Sequence, residues 1–406
     1  MTGVIKMRNK GRILLCFILI GVLVSANFSF VDAYRKPGEY FTVYNSNSDK
    51  VLFMTGIEVT RGDQYLSGDN KMYEVTRVNT SSRIAYADFI NDVQLPKINL
   101  EALERVKLAL DGPEGLAALF LAQEEEGEEG EGEGERPGGW ENLERRVGIY
   151  TTHSAESYVP TDGEESIEEG GGIIQVASKL SEGFQNQGVE ATHDETNHVP
   201  HDAGAYKRSR RTAMELMTEQ GVASLIDVHR DAVPVEQYNT EINGKPASKV
   251  RMVIGRRNQN FKANEELAMH VKAVADEMHP GLIKDIFYAK GDYNQDLTPR
   301  AMLLEMGTFE QERQRPETSA GYFAEAVTTA MFGGVVEDED GDTEDVAPEA
   351  ESDGGSGAGI MGLIAVVGGG GLAFLFLSSG GKEWKSKLGN FKDEFRNFLG
   401  RSKNKK

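Results

Sequence analysis

Residues Glu124 to Gly139 are almost wholly Glu and Gly, with no apolar side chains to bury and a uniform charge that repels itself, so no core can run through them. A second acidic stretch, Val336 to Ser356, has the same character. Together they predict extended linkers at 122–139 and 336–356, bracketing a block at 140–335 that must fold around its own core. Much of the formal net charge of -21 lies in these runs. Nothing in the chain resembles a basic face for phosphates, which argues against sequence-independent nucleic-acid binding. The single cysteine, Cys16, excludes disulfides and Cys-rich metal sites, so any metal must be held by His and carboxylate.

Inside the block, strand-like and helix-like runs alternate. Strands are predicted at Gly148–Thr152, Val189–Thr192, Ala223–Val228, Lys249–Ile254, Ile286–Ala289 and Met302–Leu304. Helices are predicted at about 169–187, 206–220, 264–278 and 320–331. Such alternation implies an α/β fold, a mainly parallel sheet with helices on both faces. Ahead of the block, residues 38–121 read as a small β module, with strands at Tyr40–Tyr44, Val51–Met54, Met72–Val78 and Arg83–Ala87 separated by turn residues. Helical spacing from Ile98 to Leu121 leads away from it. The module contains neither His nor Cys, and a docking or spacer role is expected.

The chain's two ends carry membrane signals. Lys6, Arg8, Lys10 and Arg12 precede an apolar run, so 1–34 reads as an export signal or an N-terminal transmembrane segment. Residues 357–379 carry no charge and are long enough to span a bilayer, although Gly368 to Gly371 also suit a buried hairpin. The basic tail 380–406, with Trp384, Leu388, Phe391, Phe395 and Phe398 at helical spacing, is expected to lie along the inner membrane surface. By the positive-inside rule the block is then at the cell membrane but on its outer side.

Three strand ends carry the chemistry. Gly148–Thr152 runs into His153, Leu225–Val228 into His229-Arg230-Asp231, and Met302–Leu304 into Glu305. In open α/β sheets the ligand crevice lies beyond the carboxyl ends of the strands. Two imidazoles and a carboxylate there suit a zinc hydrolase, in which three protein ligands leave a position for water and a further Glu acts as base. A third ligand is expected on the first helix, where Glu168 and Glu169 stand. Arg230 is a candidate for stabilising an oxyanion, or else a structural partner of Asp231. His193, His198 and His201 cluster in a loop and suit substrate binding, metal binding or a plain loop role.

Several motifs, in order, resemble the stage II sporulation protein P family: Thr152–Tyr158, His193–Thr196 leading to Tyr206–Arg210, Asp227–Ala232, Tyr293–Leu297 with Pro299, and Leu304–Gly307. The family comprises cell-wall hydrolases of endospore-forming bacteria, related to zinc-dependent N-acetylmuramoyl-L-alanine amidases. The resemblance covers about residues 147–333 and implies Zn2+ held by His153, Glu169 and His229, with Glu305 as the catalytic base. Glu168 and Glu156 remain alternatives for the acidic ligand. It also implies peptidoglycan as substrate, a role in forespore engulfment with sporulation proteins D and M, and a second activity on peptide cross-links. Two other readings are a catalytically silent wall-binding scaffold with the same fold and a zinc carboxypeptidase of similar topology. Intact His153, His229 and Glu305 favour the enzyme over the first, and the motifs favour the amidase over the second.

Overall fold

The computed structural model describes residues 38–110, 144–202 and 204–336. Five strands come first: β1 (Phe41–Asn45), β2 (Val51–Thr55), β3 (Gln64–Ser67), β4 (Lys71–Asn79) and β5 (Ile84–Asp92), followed by helix α1 (Leu100–Leu110). Strands and helices then alternate as β6 (Arg146–Tyr150), α2 (Ile173–Asn186), β7 (Glu190–His193), α3 (Ala205–Glu219) and β8 (Ser224–Asp231). A hairpin of β9 (Asn239–Ile242) and β10 (Lys245–Ser248) precedes β11 (Val250–Gly255), α4 (Phe261–Met278), β12 (Ile283–Ala289), β13 (Ala301–Thr308) and α5 (Gln314–Phe332). β8, β11 and β13 are buried at every position, as strands covered on both faces must be.

The main sheet has the order β2-β1-β5-β4-β3-β12-β11-β13-β8-β6-β7. β13, β8, β6 and β7 are parallel neighbours, and β11 is parallel to β12, but β11 and β13 pair antiparallel. The sheet is therefore mixed rather than mainly parallel throughout. Only residues 290–300 join β12 to β13, too few for a helical crossover, so β13 returns in the opposite sense.

The first five strands are not a separate module. β3, which the sequence reading missed, pairs antiparallel with β12 through Leu66 opposite Ile286 and Tyr65 opposite Phe287, and extends the same sheet. Phe53 stacks on Tyr65 at 4.2 Å and meets Phe287 at 5.3 Å. Val253, Phe287 and Leu303 are buried beneath these strands, each contributing about 2 kcal/mol of apolar burial. Helix α1 does not lead away either. Ala102, Leu103 and Val106 enter the main core, and Asn99 donates its N–H to Val335 O at 2.8 Å.

The two faces of the sheet differ in their cover. Ile226, Val228, Met252, Ile286 and Leu304 face a core that includes residues of α1, α2, α4 and α5. On the other face Tyr150, Leu225 and Ala301 lie under α3, while β1–β5 cover the rest. With a side-chain period of two, Asp227, His229 and Asp231 of β8, Arg251 of β11, Asp285 of β12 and Glu305 of β13 share this second face. The register aligns His229, Glu305, Arg251 and Asp285 in one row across four strands.

Among the described residues no helix is long and apolar enough to cross a membrane. The expected N-terminal segment 1–34, the linker 122–139, the acidic linker beyond Val336, the span 357–379 and the basic tail 380–406 all lie outside the described residues.

Candidate active site

β6, β8 and β13 lie side by side and parallel, so His153, His229 and Glu305 reach one edge of the sheet. His153 follows β6 at the start of a tight turn in which the Glu156 N–H donates to His153 O at 3.0 Å. That turn brings the Glu156 carboxylate back beside the histidine. His153 Nδ1 stands 3.4 Å from Glu156 Oε1, and His229 Nδ1 stands 3.7 Å from Glu156 Oε2. His153, Glu156 and His229 are all buried, and their candidate ligand atoms lie within 4.8 Å of one another.

The acidic member is thus Glu156, not Glu169. Glu168 and Glu169 are exposed in a turn that ends before α2 begins. The reason lies in Gly170–Gly172, which serve close packing rather than helix initiation. A Cβ on Gly171 would stand 2.0 Å from Glu156 O and 2.5 Å from Ala155 O. The N–H groups of Gly171 and Ile173 donate to Ser154 O and Glu156 O at 2.7 and 3.0 Å. The glycines therefore let the start of α2 grip the backbone of the His153–Glu156 turn.

The donor set fits zinc. For ligand bonds of about 2.0–2.2 Å, the edges of a tetrahedron are about 3.3–3.6 Å; each histidine stands near that distance from one oxygen of Glu156, at 3.4 and 3.7 Å, and the full set lies within 4.8 Å. His229 Nε2 lies 3.1 Å from Asp227 Oδ1, and Asp227 is fixed by the Thr152 N–H at 2.8 Å and Thr152 Oγ1 at 2.6 Å. A carboxylate behind a histidine in this way orients the ring and raises its basicity. The sequence shows Asp227 in the Asp227–Ala232 motif without assigning it a role; its place two positions before His229 on one strand is the signal that puts both on one face.

Electrostatics divide the groups. Burial opposes the charged form of Glu156, but hydrogen bonds from His153 and His229 and the charges of His229 and Arg230 overcome it and hold its carboxyl well below the usual range. Burial also opposes the charge on His229, yet Asp227 and then Glu156 raise it well above an ordinary imidazole. His153 is lowered by burial. In the metal-free chain Asp227 and Glu156 therefore favour the protonated form of His229, and a metal must displace that proton. Calorimetric zinc titrations near pH 7 in buffers of different ionisation enthalpy should show proton release, and apparent affinity should rise with pH through the raised His229 value. Buffer-independent heats would contradict this.

Glu305 faces His229 in register, and its Oε2 is buried with no hydrogen-bond partner among the described residues. Burial, followed by the charge of Asp231, raises its carboxyl well above the usual range. A small cavity of about 10 Å³, near the room of one water, is lined by His153, Glu156, His229, Glu305, Tyr206 and Gly56 among others.

Arg230 lines the same cavity but is not the partner of Asp231. Its Nε and Nη2 donate to Ser157 O and Glu165 O at 3.1 and 2.7 Å, while its backbone N–H donates to Glu156 Oε2 at 2.9 Å. Successive strand residues point to opposite faces, which turns the Arg230 side chain away from that of Asp231. Asp231 instead accepts from the Gly56 N–H at 2.7 Å, Tyr238 OH at 2.9 Å and Arg251 Nη1 at 3.0 Å.

The three loop histidines separate in the same manner. His198 is structural, lying 2.8 Å from Thr151 O and 2.9 Å from Thr212 Oγ1. His193 meets Ser178 Oγ at 3.2 Å. His201 joins the site, with Nε2 3.6 Å from Glu156 Oε1 and its ring 4.3 Å from that of His153; burial lowers its pKa to about 2.

A model of the stage II sporulation protein P family matches residues 60–328. The stage II sporulation protein P of Bacillus subtilis is 30% identical over 195 residues, which are 43% of this chain and 49% of that protein, so the chain spans about half the length of this relative. Among solved structures, the CwlD amidase of Clostridioides difficile in complex with the GerS lipoprotein has 13% identity, a TM-score of 0.32, and coverage of 47% of this chain and 96% of that one. The apo form of an N-acetylmuramyl-L-alanine amidase from Mycobacterium abscessus has 13% identity, a TM-score of 0.30, and coverage of 48% and 99%.

Proposed function

This chain belongs to the stage II sporulation protein P family, and from that premise we propose that it is a zinc-dependent cell-wall hydrolase, an N-acetylmuramoyl-L-alanine amidase acting in forespore engulfment. The observation that carries the reading is the buried His153–Glu156–His229 group with Glu305 opposite it in register. A zinc ion held by His153, Glu156 and His229 would supply Lewis acidity, making water a competent nucleophile at neutral pH.

The chain's own residues handle the protons. A cation held beside it would favour the ionised form of Glu305, whose Oε2 takes a proton as water attacks the carbonyl of the amide between N-acetylmuramic acid and L-alanine, and then returns it to the leaving amine nitrogen. Its strand is buried on both faces, so the carboxylate's reach is fixed. Asp227 keeps His229 in its orientation, and the Arg230 backbone N–H does the same for Glu156. The apolar stretch 357–379 and the basic tail 380–406 support membrane anchoring with the hydrolase on the wall-facing side, where sporulation proteins D and M are its proposed partners.

Metal content and release of L-alanine amino groups from purified peptidoglycan test the reading on the full chain. Wild type is expected to hold about one zinc per chain and to release amines. Glu156→Ala should weaken zinc binding by more than about 100-fold, whereas Glu169→Ala should leave it unchanged. Normal zinc content in Glu156→Ala would reject this ligand set. A zinc-loaded wild type that releases no amine would reject the amidase.

A further inference from the structure

Away from the catalytic row, four cationic side chains surround one open cleft. Arg61, Arg256, Arg257 and Lys290, together with Thr60, line a volume of about 420 Å³. Only one of the four is neutralised: Arg256 Nη2 donates to the buried Asp63 Oδ1 at 2.6 Å, while among the described residues Arg61, Arg257 and Lys290 have no carboxylate partner. Arg256 Nε is buried with no partner among the described residues.

The cleft is built rather than incidental. Asp63 also accepts from the Thr60 N–H at 2.6 Å and Thr60 Oγ1 at 3.0 Å, which closes the 60–63 turn and fixes its position against Arg256. Arg256 and Arg257 follow the end of β11, and their N–H groups donate to Ala289 O and Gly291 O at 2.8 and 3.3 Å, on either side of Lys290. All four cations therefore hang on anchored backbone.

Its position relative to the active site is defined by the strands. Arg251 stands in register with Glu305, and Arg256 lies five positions farther along β11, which runs antiparallel to β13, so the cleft is about 17 Å away toward the opposite edge of the sheet. The segment after β2 runs between the two places. Gly56 and Ile57 line the catalytic cavity, whereas Thr60 and Arg61 line the cleft. Ile57, Val59, Val253 and Tyr293 fill the space beneath this segment, so a peptide reaching both places runs over its outer side, a span of at least about five extended residues.

We propose that this cleft binds the carboxylates of the stem peptide whose N-terminal L-alanine is released at the active site. The inference rests on the amidase reading, which puts the peptide on the leaving-amine side. Stem peptides carry free carboxylates on the γ-linked glutamate, on the diamino acid and at the C-terminus. Three unneutralised cations on fixed backbone match that charge, and the attraction is sensitive to salt.

Binding to the zinc-loaded full chain tests it, with the free pentapeptide as probe and the same peptide with its carboxylates amidated as comparison. The carboxylate form should bind about tenfold more tightly, and the preference should shrink as salt rises. Arg257→Gln combined with Lys290→Gln, both outside the catalytic machinery, should erase the preference and leave zinc content unchanged. Equal binding of the two peptides, or a preference that survives the double substitution, overturns the assignment. So does a glycerol-phosphate oligomer that binds the cleft more tightly than the peptide. If the peptide preference holds but no amine is released from peptidoglycan, the amidase reading fails and the cleft stands. If amine is released without the preference, the cleft fails alone.

Discussion

Glu305→Gln is expected to lower amide cleavage by about 100- to 10,000-fold, the usual contribution of a positioned proton acceptor, while zinc content stays near that of wild type. The same substitution should stabilise the metal-free chain. Glu305 has a folded pKa raised well above its ordinary value by burial and by Asp231. A carboxyl raised in this way carries no penalty below its unfolded pKa, where both states are protonated. Above it the unfolded chain ionises first, so stability falls with rising pH until the folded value is passed. Glutamine removes that penalty, and the melting temperature of the metal-free variant should exceed that of wild type at neutral pH but not near pH 4. Loss of activity with gain of stability is the signature of a group retained for chemistry. A variant that is both inactive and less stable would mark Glu305 as structural, and one with full activity would remove it as the base.

Such a residue is legible in a sequence only in part. Glu305, His153 and His229 could be read because each ends an apolar run, and because three parallel neighbouring strands must bring their ends to one edge. Glu156 was harder. Its position depends on a turn closed by one backbone hydrogen bond and on the contact of Gly171 with that turn, which counting along a helix does not capture. Strand β3 escaped for a related reason. Gln64–Ser67 is four residues long and lies between turns, so its local signal is weak, and its pairing with β12 is set by the whole sheet. That pairing changes the meaning of the first strands. Read alone they looked like a spacer, yet they place Gly56 against Asp231 and cover the face on which the catalytic row stands. The antiparallel joint between β11 and β13 followed from a loop too short for a crossover, a length the sequence does show once both strands are located.

Arg251 is the residue on which that row's mechanical order most depends, and Arg251→Met is expected to destabilise the full chain by about 3–5 kcal/mol. Its guanidinium is fully buried, forked onto Asp285 at 2.6 and 3.0 Å and bonded to Asp231 at 3.0 Å, with the rings of Phe53 and Phe287 within 6 Å. Removing it takes from Asp231 its cationic partner and leaves Asp285 with Lys284 alone, at 2.8 Å, which costs far more than the packing lost. Burial opposes the charge on Asp285, but Arg251 and then Lys284 hold its pKa below the usual range. A lowered carboxyl contributes stability that is present above the unfolded value and is lost as pH falls through the folded one. Wild type should therefore resist acid to below pH 4, and Arg251→Met should begin to lose structure at higher pH. Arg251→Lys should recover only part of the loss, since an ammonium cannot make the fork. Replacing Asp231, Arg251 and Asp285 together by Asn, Met and Leu should cost less than Arg251→Met alone, because only Lys284 then loses its partner, and burial already lowers its pKa to about 8. Denaturant midpoints of the four proteins decide the matter: a loss below about 1 kcal/mol in Arg251→Met, or a triple variant worse than the single one, would mean that packing and not charge pairing holds these strands in register.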